Sequence, residues 1–159
     1  MRDWLSHRAA STPDDLAVID ADTDTRWSYS GLDAAVDETA GRLASLGVDA
    51  GDQVGTLLPR TFLGVCLFHA AQRLGVTLVP LNHRLTADEL GAQIDQLDLT
   101  LVVCDIDTEP AAVEAVEEVP TASIDDPQWA AVKSFKDVEP ATIAPADWER
   151  DDPQLIVFT

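Results

Sequence analysis

The strongest constraint on the fold is an apolar strand–helix–strand pattern with very short connections near the middle of the chain. A strand over 53–58, a helix from Thr61 to Gly75 and a strand over 76–79 follow one another closely. Strands joined by a helix in this way lie parallel, and the crossover is right-handed. The helix has no polar face, so we expect it to be buried on several sides. The pattern therefore predicts an α/β fold with a largely parallel sheet flanked by helices.

Before this unit, the sequence predicts two helices and a hairpin. Asp3 is placed to cap a short first helix. Strand-like runs at 16–20 and 25–29 flank an Asp-rich turn and predict a β-hairpin. Ser30 and Asp33 have the spacing of a capping box, so we expect Ser30 to cap the second helix.

After the unit, the helical and strand patterns continue and then weaken. Thr86 and Glu89 have the spacing of a capping box and predict another helix. A run at 99–104 is apolar throughout, as expected for a central parallel strand. Beyond it, prolines divide the chain into short pieces. The patterns that remain predict a helix over 111–119 and strands over 121–124 and 154–159.

Charge divides the chain into two unequal parts. The 159 residues carry 29 acidic and 10 basic side chains, a net charge of −19. Residues 1–104 hold 15 acids and 7 bases, whereas residues 105–159 hold 14 acids and 3 bases in half the length. We therefore expect an α/β core subdomain over 1–104. Residues 105–159 are expected to form an acidic, less regular segment that ends in a strand.

The charge also excludes two classes of partner. A surface this acidic repels phosphate, so we expect no binding to nucleic acid and no attraction to an anionic membrane. The most apolar stretch, 62–81, is interrupted by His69, Gln72 and Arg73, which argues against membrane insertion. The first residues lead into polar sequence, which predicts no signal peptide and a cytoplasmic location.

The kind of charge is a further constraint, because 21 of the acids are Asp and only 2 of the bases are Lys. The self-repulsion of such a surface is screened by salt, since the Debye length falls to about 3 Å at 1 M. An excess of Asp with scarce Lys resembles the salt-adapted proteins of haloarchaea. The alternative is an acidic surface that binds a partner.

The residues that often carry chemistry point to packing instead. Cys66 and Cys104 lie in apolar runs and are predicted to be buried, reduced thiols. His69 lies in the apolar helix and is expected to be a core histidine. No Cys–His–acid arrangement, no metal-ligand spacing and no glycine-rich nucleotide motif is found in the chain. We expect no catalytic residue and no metal ligand here.

Five segments, in this order and spacing, resemble the N-terminus of the acyl-adenylate-forming superfamily. They are RAASTPDDLAV (8–18), WSYSGLD (27–33), AGRLASLGVDAGDQV (40–54), LGVTLVPLNHRLTADEL (74–90) and LIVFT (155–159). The superfamily comprises AMP-dependent acyl-CoA synthetases, luciferases and the adenylation domains of peptide synthetases. The resemblance covers the whole chain and implies that it is the first part of the family's large domain.

The resemblance implies a two-step reaction. A carboxylate attacks the α-phosphate of Mg-ATP to give an acyl-adenylate and pyrophosphate, and the CoA thiol then displaces AMP. ATP, Mg²⁺ and CoA are the implied cofactors, and a small carboxylic acid is the implied substrate. In the family, the glycine-rich phosphate loop, the metal ligand, the ribose-binding Asp and the catalytic Lys lie further along the chain. We therefore expect residues 1–159 to be a fragment that is inactive alone.

The resemblance assigns two binding residues. Thr159 looks like the residue that opens the phosphate-binding loop, which makes it a candidate ATP-binding residue. Arg84 lies where the family has a basic residue near the CoA nucleotide, and a guanidinium suits phosphate. The alternative for Arg84 is a surface side chain that pairs with Asp88 or Glu89.

Within the superfamily, residues 3–14 are most similar to the 2-succinylbenzoate–CoA ligases of menaquinone biosynthesis. Fatty-acid and aryl-acid CoA ligases begin similarly and remain alternatives, as does an adenylation domain of a peptide synthetase. A different alternative is a stand-alone acidic α/β module that binds a protein or small molecule. A fragment would expose apolar surface, which predicts self-association into a homo-oligomer.

Overall fold

The computed structural model describes residues 3–116, 118–147 and 153–158. Its helices are α1 (Trp4–Ser11), α2 (Tyr29–Ser45), α3 (Phe62–Leu74), α4 (Ala87–Ile94) and α5 (Glu109–Ala115). Its strands are β1 (Leu16–Ile19), β2 (Arg26–Ser28), β3 (Gln53–Leu57), β4 (Thr77–Pro80), β5 (Leu99–Cys104), β6 (Thr121–Ser123) and β7 (Lys133–Ser134). A short 3-10 helix, Phe135–Asp137, follows β7.

The central feature is a five-stranded sheet in the order β4-β3-β5-β6-β7, with every pair of neighbours parallel. Strands β3 and β4 with α3 between them form the predicted strand–helix–strand unit. The apolar β5 lies at the centre of the sheet, as its sequence predicts. Strands β1 and β2 pair antiparallel in a separate hairpin, which confirms that prediction. The α/β fold with a parallel sheet is therefore confirmed.

Helices cover both faces of this sheet. One face packs against α1, α2 and α3 through a core that includes Leu5, Val36 and Leu67. The opposite face packs against α4 and α5 through a second core that includes Leu90 and Ala112. Alternate residues of the strands supply the two cores, as the two-residue period of a strand requires.

Most helix ends lie where local sequence predicts them. Asp3 caps α1 by accepting a hydrogen bond from the Ser6 amide. Thr61 caps α3, which ends at Gly75 in the left-handed conformation that favours glycine. The capping box of Thr86 and Glu89 is present at the start of α4.

The predicted cap of the second helix lies two residues too late in the sequence. Helix α2 begins at Tyr29, and the Ser28 hydroxyl accepts a hydrogen bond from the Gly31 amide at 3.2 Å. Ser28 therefore takes the capping role predicted for Ser30. Asp33 does not complete a capping box, because it lies five residues after this cap, and its carboxylate instead binds Arg73.

Helix α3 is buried on several sides, as predicted, although Phe68 is 38% exposed. Two other predictions need adjustment. The helix predicted at 111–119 is placed earlier, at Glu109–Ala115. The strand predicted at 154–159 pairs with β4 at a single parallel bridge between Leu78 and Leu155 in the part of that run that the structure describes.

Candidate functional site

The candidate site is the edge of the sheet where β3 and β4 end. Thr56 of β3 is paired with Pro80 of β4, and Leu78 with Leu155, so the three chain segments run in the same direction. The loops that follow them therefore emerge at one edge. Ligands of open α/β sheets bind outside the carboxyl ends of the strands. We call this region the β3–β4 edge.

Arg84 lies at the β3–β4 edge, in the turn between β4 and α4. The turn is held by the Asn82 side chain, whose oxygen accepts a hydrogen bond from the Arg84 amide at 3.0 Å. The alternative ion pair with Asp88 or Glu89 is not found among the described residues. Glu89 instead accepts hydrogen bonds from the amide and hydroxyl of Thr86. The Arg84 side chain is therefore exposed at the edge, and its role toward CoA stays a prediction.

Thr159 lies outside the described residues, so its predicted ATP contact stays untested. The segment before it runs along β4: the Leu78 amide donates to the Gln154 carbonyl at 3.1 Å, and the Ile156 amide donates to the Leu78 carbonyl at 3.0 Å. Ile156 and Phe158 pack against the core on the α4 side of the sheet. This direction carries the chain toward the β3–β4 edge.

A groove of about 800 Å³ opens beside this edge. It is bounded by the β1–β2 hairpin, the end of β3 and the first turns of α3. Trp27 and Phe62 stack in its wall with ring centroids 3.9 Å apart and planes 7° from parallel. Sequence reasoning missed this groove, because it depends on how the hairpin packs against α3.

Arg60 lines the groove and was also missed from the sequence. It follows β3 in Leu-Pro-Arg-Thr, so a basic residue directly after a strand end was the available signal. Across the groove, the Asp20 carboxylate accepts hydrogen bonds from the amides of Thr23 and Asp22 in its own turn. These amides lower the pKa of Asp20. Arg60 forms no ion pair within residues 3–116, 118–147 and 153–158.

The two cysteines are unsuited to act as nucleophiles. Both are free and buried, which confirms the prediction of buried thiols. Burial raises the pKa of Cys66 to about 11. Burial, with the nearby acids Glu109, Asp105 and Asp125, raises the pKa of Cys104 to about 12. His69 is half-buried, and burial lowers its pKa, consistent with the predicted packing role.

The most heavily charged buried cluster lies between three helices. The Arg73 side chain of α3 is 3% exposed and forms ion pairs with Asp3, Asp33 and Asp37. It also donates to the Ser6 hydroxyl at 3.0 Å. These partners belong to α1 and its cap and to α2, so the guanidinium holds three helices together. Sequence reasoning treated Arg73 only as an interruption of an apolar run.

The described part of the chain gives two findings, one on metal-ligand groups and one on membrane-spanning helices. It contains no group of three His, Cys, Asp or Glu side chains placed to hold a metal ion. The residues present therefore do not fit a Mg²⁺ site, and no step is assigned to Mg²⁺ on them. Among the same residues, no helix is both long and apolar enough to cross a membrane.

The sequence profile of the AMP-binding enzymes matches residues 5–159. Over 87 residues the chain is 37% identical to the long-chain-fatty-acid–CoA ligase FadD13 of Mycobacterium tuberculosis, covering 55% of this chain and 17% of that protein. Over 100 residues it is 37% identical to the 2-succinylbenzoate–CoA ligase of Bacillus licheniformis, covering 63% and 20%. The chain thus spans about a fifth of the length of these curated relatives.

A solved structure shares the fold. The o-succinylbenzoate CoA synthetase of Bacillus subtilis, in complex with ATP and magnesium ion, superposes with a TM-score of 0.76 at 29% identity. The superposition covers 90% of this chain and 36% of that chain. The predicted likeness of the fold to acyl-CoA synthetases is confirmed.

Proposed function

The chain belongs to the family of AMP-binding enzymes, and on this premise we propose that it is the N-terminal part of an ATP-dependent acid–CoA ligase. The observation that carries the proposal is the family match over residues 5–159. CoA ligases among its relatives, at 37% identity, support the choice of reaction. The position of Arg84 at the β3–β4 edge is consistent with a ligand-binding role for that edge.

The proposed reaction has two steps. The carboxylate of the acid attacks the α-phosphate of ATP, and pyrophosphate leaves. The CoA thiol then attacks the acyl carbon of the adenylate, and AMP leaves. We propose that residues 1–104 supply a core of sheet and helices and that 105–159 lead to the phosphate-binding loop, with Thr159 at its start. Alone, the 159 residues are expected not to catalyse either step.

For the acid, we propose 2-succinylbenzoate, which would place the enzyme in menaquinone biosynthesis. The 2-succinylbenzoate–CoA ligase of Bacillus licheniformis supports this choice, at 37% identity over 100 residues. The fatty-acid alternative is supported by the ligase of Mycobacterium tuberculosis at the same identity over 87 residues. An aryl-acid ligase remains the third candidate, and a stand-alone acidic binding module the fourth. We further propose a cytoplasmic enzyme adapted to high salt.

Acid-dependent exchange of labelled pyrophosphate into ATP tests the first step. The experiment uses the complete gene product that contains these residues, in molar KCl. We expect exchange with 2-succinylbenzoate to exceed exchange with fatty and aryl acids by at least tenfold. Stronger exchange with a fatty or aryl acid would show that this acid is the substrate and would leave the proposed reaction unchanged. No exchange with any acid would contradict the ligase and favour the binding module.

A further inference from the structure

Five of the eight Lys and Arg side chains in the described ranges form an ion pair with a neighbouring acid. In the described ranges, ion pairs with Asp or Glu engage Arg8, Arg26, Arg42, Arg73 and Lys136. Arg60 and Arg84 are exposed and have no such partner there. Lys133 also lacks such a partner, but it lies on β7, so Arg60 and Arg84 are the two described arginines without an ion pair in a chain where acids outnumber bases by 29 to 10.

These two arginines lie in the loops that follow two neighbouring strands, at equivalent distances along the chain. Thr56 of β3 and Pro80 of β4 are partners in the parallel ladder. Arg60 comes four residues after Thr56, and Arg84 comes four residues after Pro80. Both side chains therefore emerge at the same edge of the sheet, on adjacent loops.

Arg60 shares its groove with acidic side chains but forms no ion pair with them in the described ranges. The first turn of α3, directly after it, contains no acidic residue, and the positive end of the helix dipole lies there. Asp20 and Asp22 share the groove with Arg60. The Asp20 carboxylate accepts from two backbone amides of its own turn, so it keeps its charge but is oriented toward that turn and is not paired with Arg60.

Two acidic residues lie close to Arg84 in the sequence, and one of them is engaged in a helix cap. Asp88 and Glu89 lie in the first turn of α4. Glu89 is engaged by the capping box, where it accepts from the Thr86 amide at 2.9 Å. Asp88 is the remaining acid of that turn. An anionic ligand at this edge therefore meets two free guanidinium groups in a molecule whose overall field repels it.

We propose that Arg60 acts together with Arg84 to bind phosphate groups of a nucleotide ligand at the β3–β4 edge. The inference rests on the proposed function, which supplies two such ligands, ATP and CoA. Arginine suits phosphate because its planar guanidinium donates two parallel hydrogen bonds. Arg60 is then a binding residue that the family resemblance did not indicate.

Steady-state kinetics of Arg60→Gln in the complete gene product tests the proposal. We expect the KM for the ligand held at this edge to rise about tenfold, as for loss of a charged hydrogen bond, with kcat nearly unchanged. Arg60→Lys should recover part of the loss, because it restores the charge but not the paired donors. Dephospho-CoA, CoA and ATP as varied substrates distinguish the 3′-phosphate of CoA, its pyrophosphate and the ATP phosphates.

Lys133→Gln is the matched control. Lys133 is an exposed base of β7 without an ion pair to any described acid, but it lies on the strand at the far end of the sheet from β4. Its KM values should equal those of the unsubstituted enzyme. If Arg60→Gln leaves the KM for both CoA and ATP unchanged while thioester forms, the inference is overturned and the ligase stands. If the unsubstituted enzyme forms no thioester, the ligase itself fails.

In that second case, calorimetry with CoA and ATP as the probes still decides the binding claim. We expect both Arg60→Gln and Arg84→Gln to weaken binding of the same nucleotide by about tenfold, and Lys133→Gln to leave it unchanged. Binding that is equal in all three variants would overturn the proposal.

Discussion

Arg73 shows how one buried charge can organise a fold. Its Nε donates to Asp3 at 2.8 Å, and its two terminal nitrogens donate to Asp37 at 2.5 Å and Asp33 at 2.8 Å. Burial alone would lower the pKa of Arg73, but these carboxylates raise it. The guanidinium is thus a buried positive charge that is compensated by three carboxylates.

We predict that Arg73→Gln lowers the free energy of unfolding by about 3 kcal/mol, because it leaves Asp3, Asp33 and Asp37 close together without a cation. The partly exposed positions of these acids keep the loss from being larger. Arg26→Gln is the control, since Arg26 pairs with Asp24 where both side chains are mostly exposed. Such a pair is worth about 0–1 kcal/mol. Denaturant unfolding in molar KCl measures both; equal losses would refute the structural role of Arg73.

The cysteines give a second prediction at the residue scale. With a pKa of about 11 for Cys66 and about 12 for Cys104, the thiolate fraction at pH 8 is at least about a hundredfold below that of a free thiol. A thiol-specific reagent such as Ellman's reagent should therefore react with neither cysteine in the folded chain. It should react with both after addition of guanidinium chloride. Rapid reaction of either thiol in the folded chain would contradict this burial.

At the scale of elements, an irregular segment is held against α2. Residues 138–141 form a docking segment: the Arg42 side chain donates to the Val138 carbonyl, Ser45 to that of Glu139, and the Ala141 amide to the Gly41 carbonyl. Gly41 permits this approach, because a Cβ there would lie 2.5 Å from the Ala141 oxygen. A segment without regular structure is therefore part of the packed molecule.

Two glycines of α2 provide a matched test. We predict that Gly41→Ala destabilises the protein by about 1–3 kcal/mol, because the new methyl group displaces the docking segment. Gly31→Ala should stabilise it by up to about 1 kcal/mol, since alanine favours a helix and its Cβ meets only Ser28 at 3.5 Å. The unfolding temperature of each variant is compared with that of the unsubstituted protein. A stabilising effect at both positions would show that 138–141 does not rest on α2.

The elements also show what sequence could predict. The caps at Asp3, Thr61 and Thr86 were predictable, because a cap depends on residues three or four apart. The cap of α2 was missed by two residues, and Asp33, which was assigned to that cap, is instead bound by Arg73, which lies 40 residues away in sequence. Docking of 138–141 on α2 is equally non-local. Such contacts leave no periodic pattern in the sequence.

For the candidate site, the position of Arg84 at a strand end followed from the strand–helix–strand pattern. The role of Arg60 did not follow from that pattern. It becomes evident only when the other basic side chains are seen to form ion pairs. The groove was beyond prediction for a similar reason, since Trp27 and Phe62 stack across 35 positions of sequence. Local patterns thus placed Arg84 after a strand, and the resemblance gave it a role, but neither indicated the other side chains at this edge.

At the scale of the whole molecule, a net charge of −19 makes stability dependent on salt. We predict that the unfolding temperature rises continuously from 0.1 M to 3 M KCl. The physical reason is that the Debye length falls from about 10 Å at 0.1 M to about 3 Å at 1 M, which screens the repulsion. Thermal scans at a series of KCl concentrations measure this. A constant or falling unfolding temperature would contradict salt adaptation.

The central claim is that this chain belongs to an acid–CoA ligase, and the most direct test is product stoichiometry. The complete gene product is incubated with ATP, CoA and 2-succinylbenzoate in molar KCl, and AMP and the CoA thioester are quantified by liquid chromatography and mass spectrometry. We expect one AMP for each thioester formed. The same mixture with residues 1–159 alone should give neither product. A folded complete protein that forms neither AMP nor thioester, with this acid or with fatty and aryl acids, would contradict the claim.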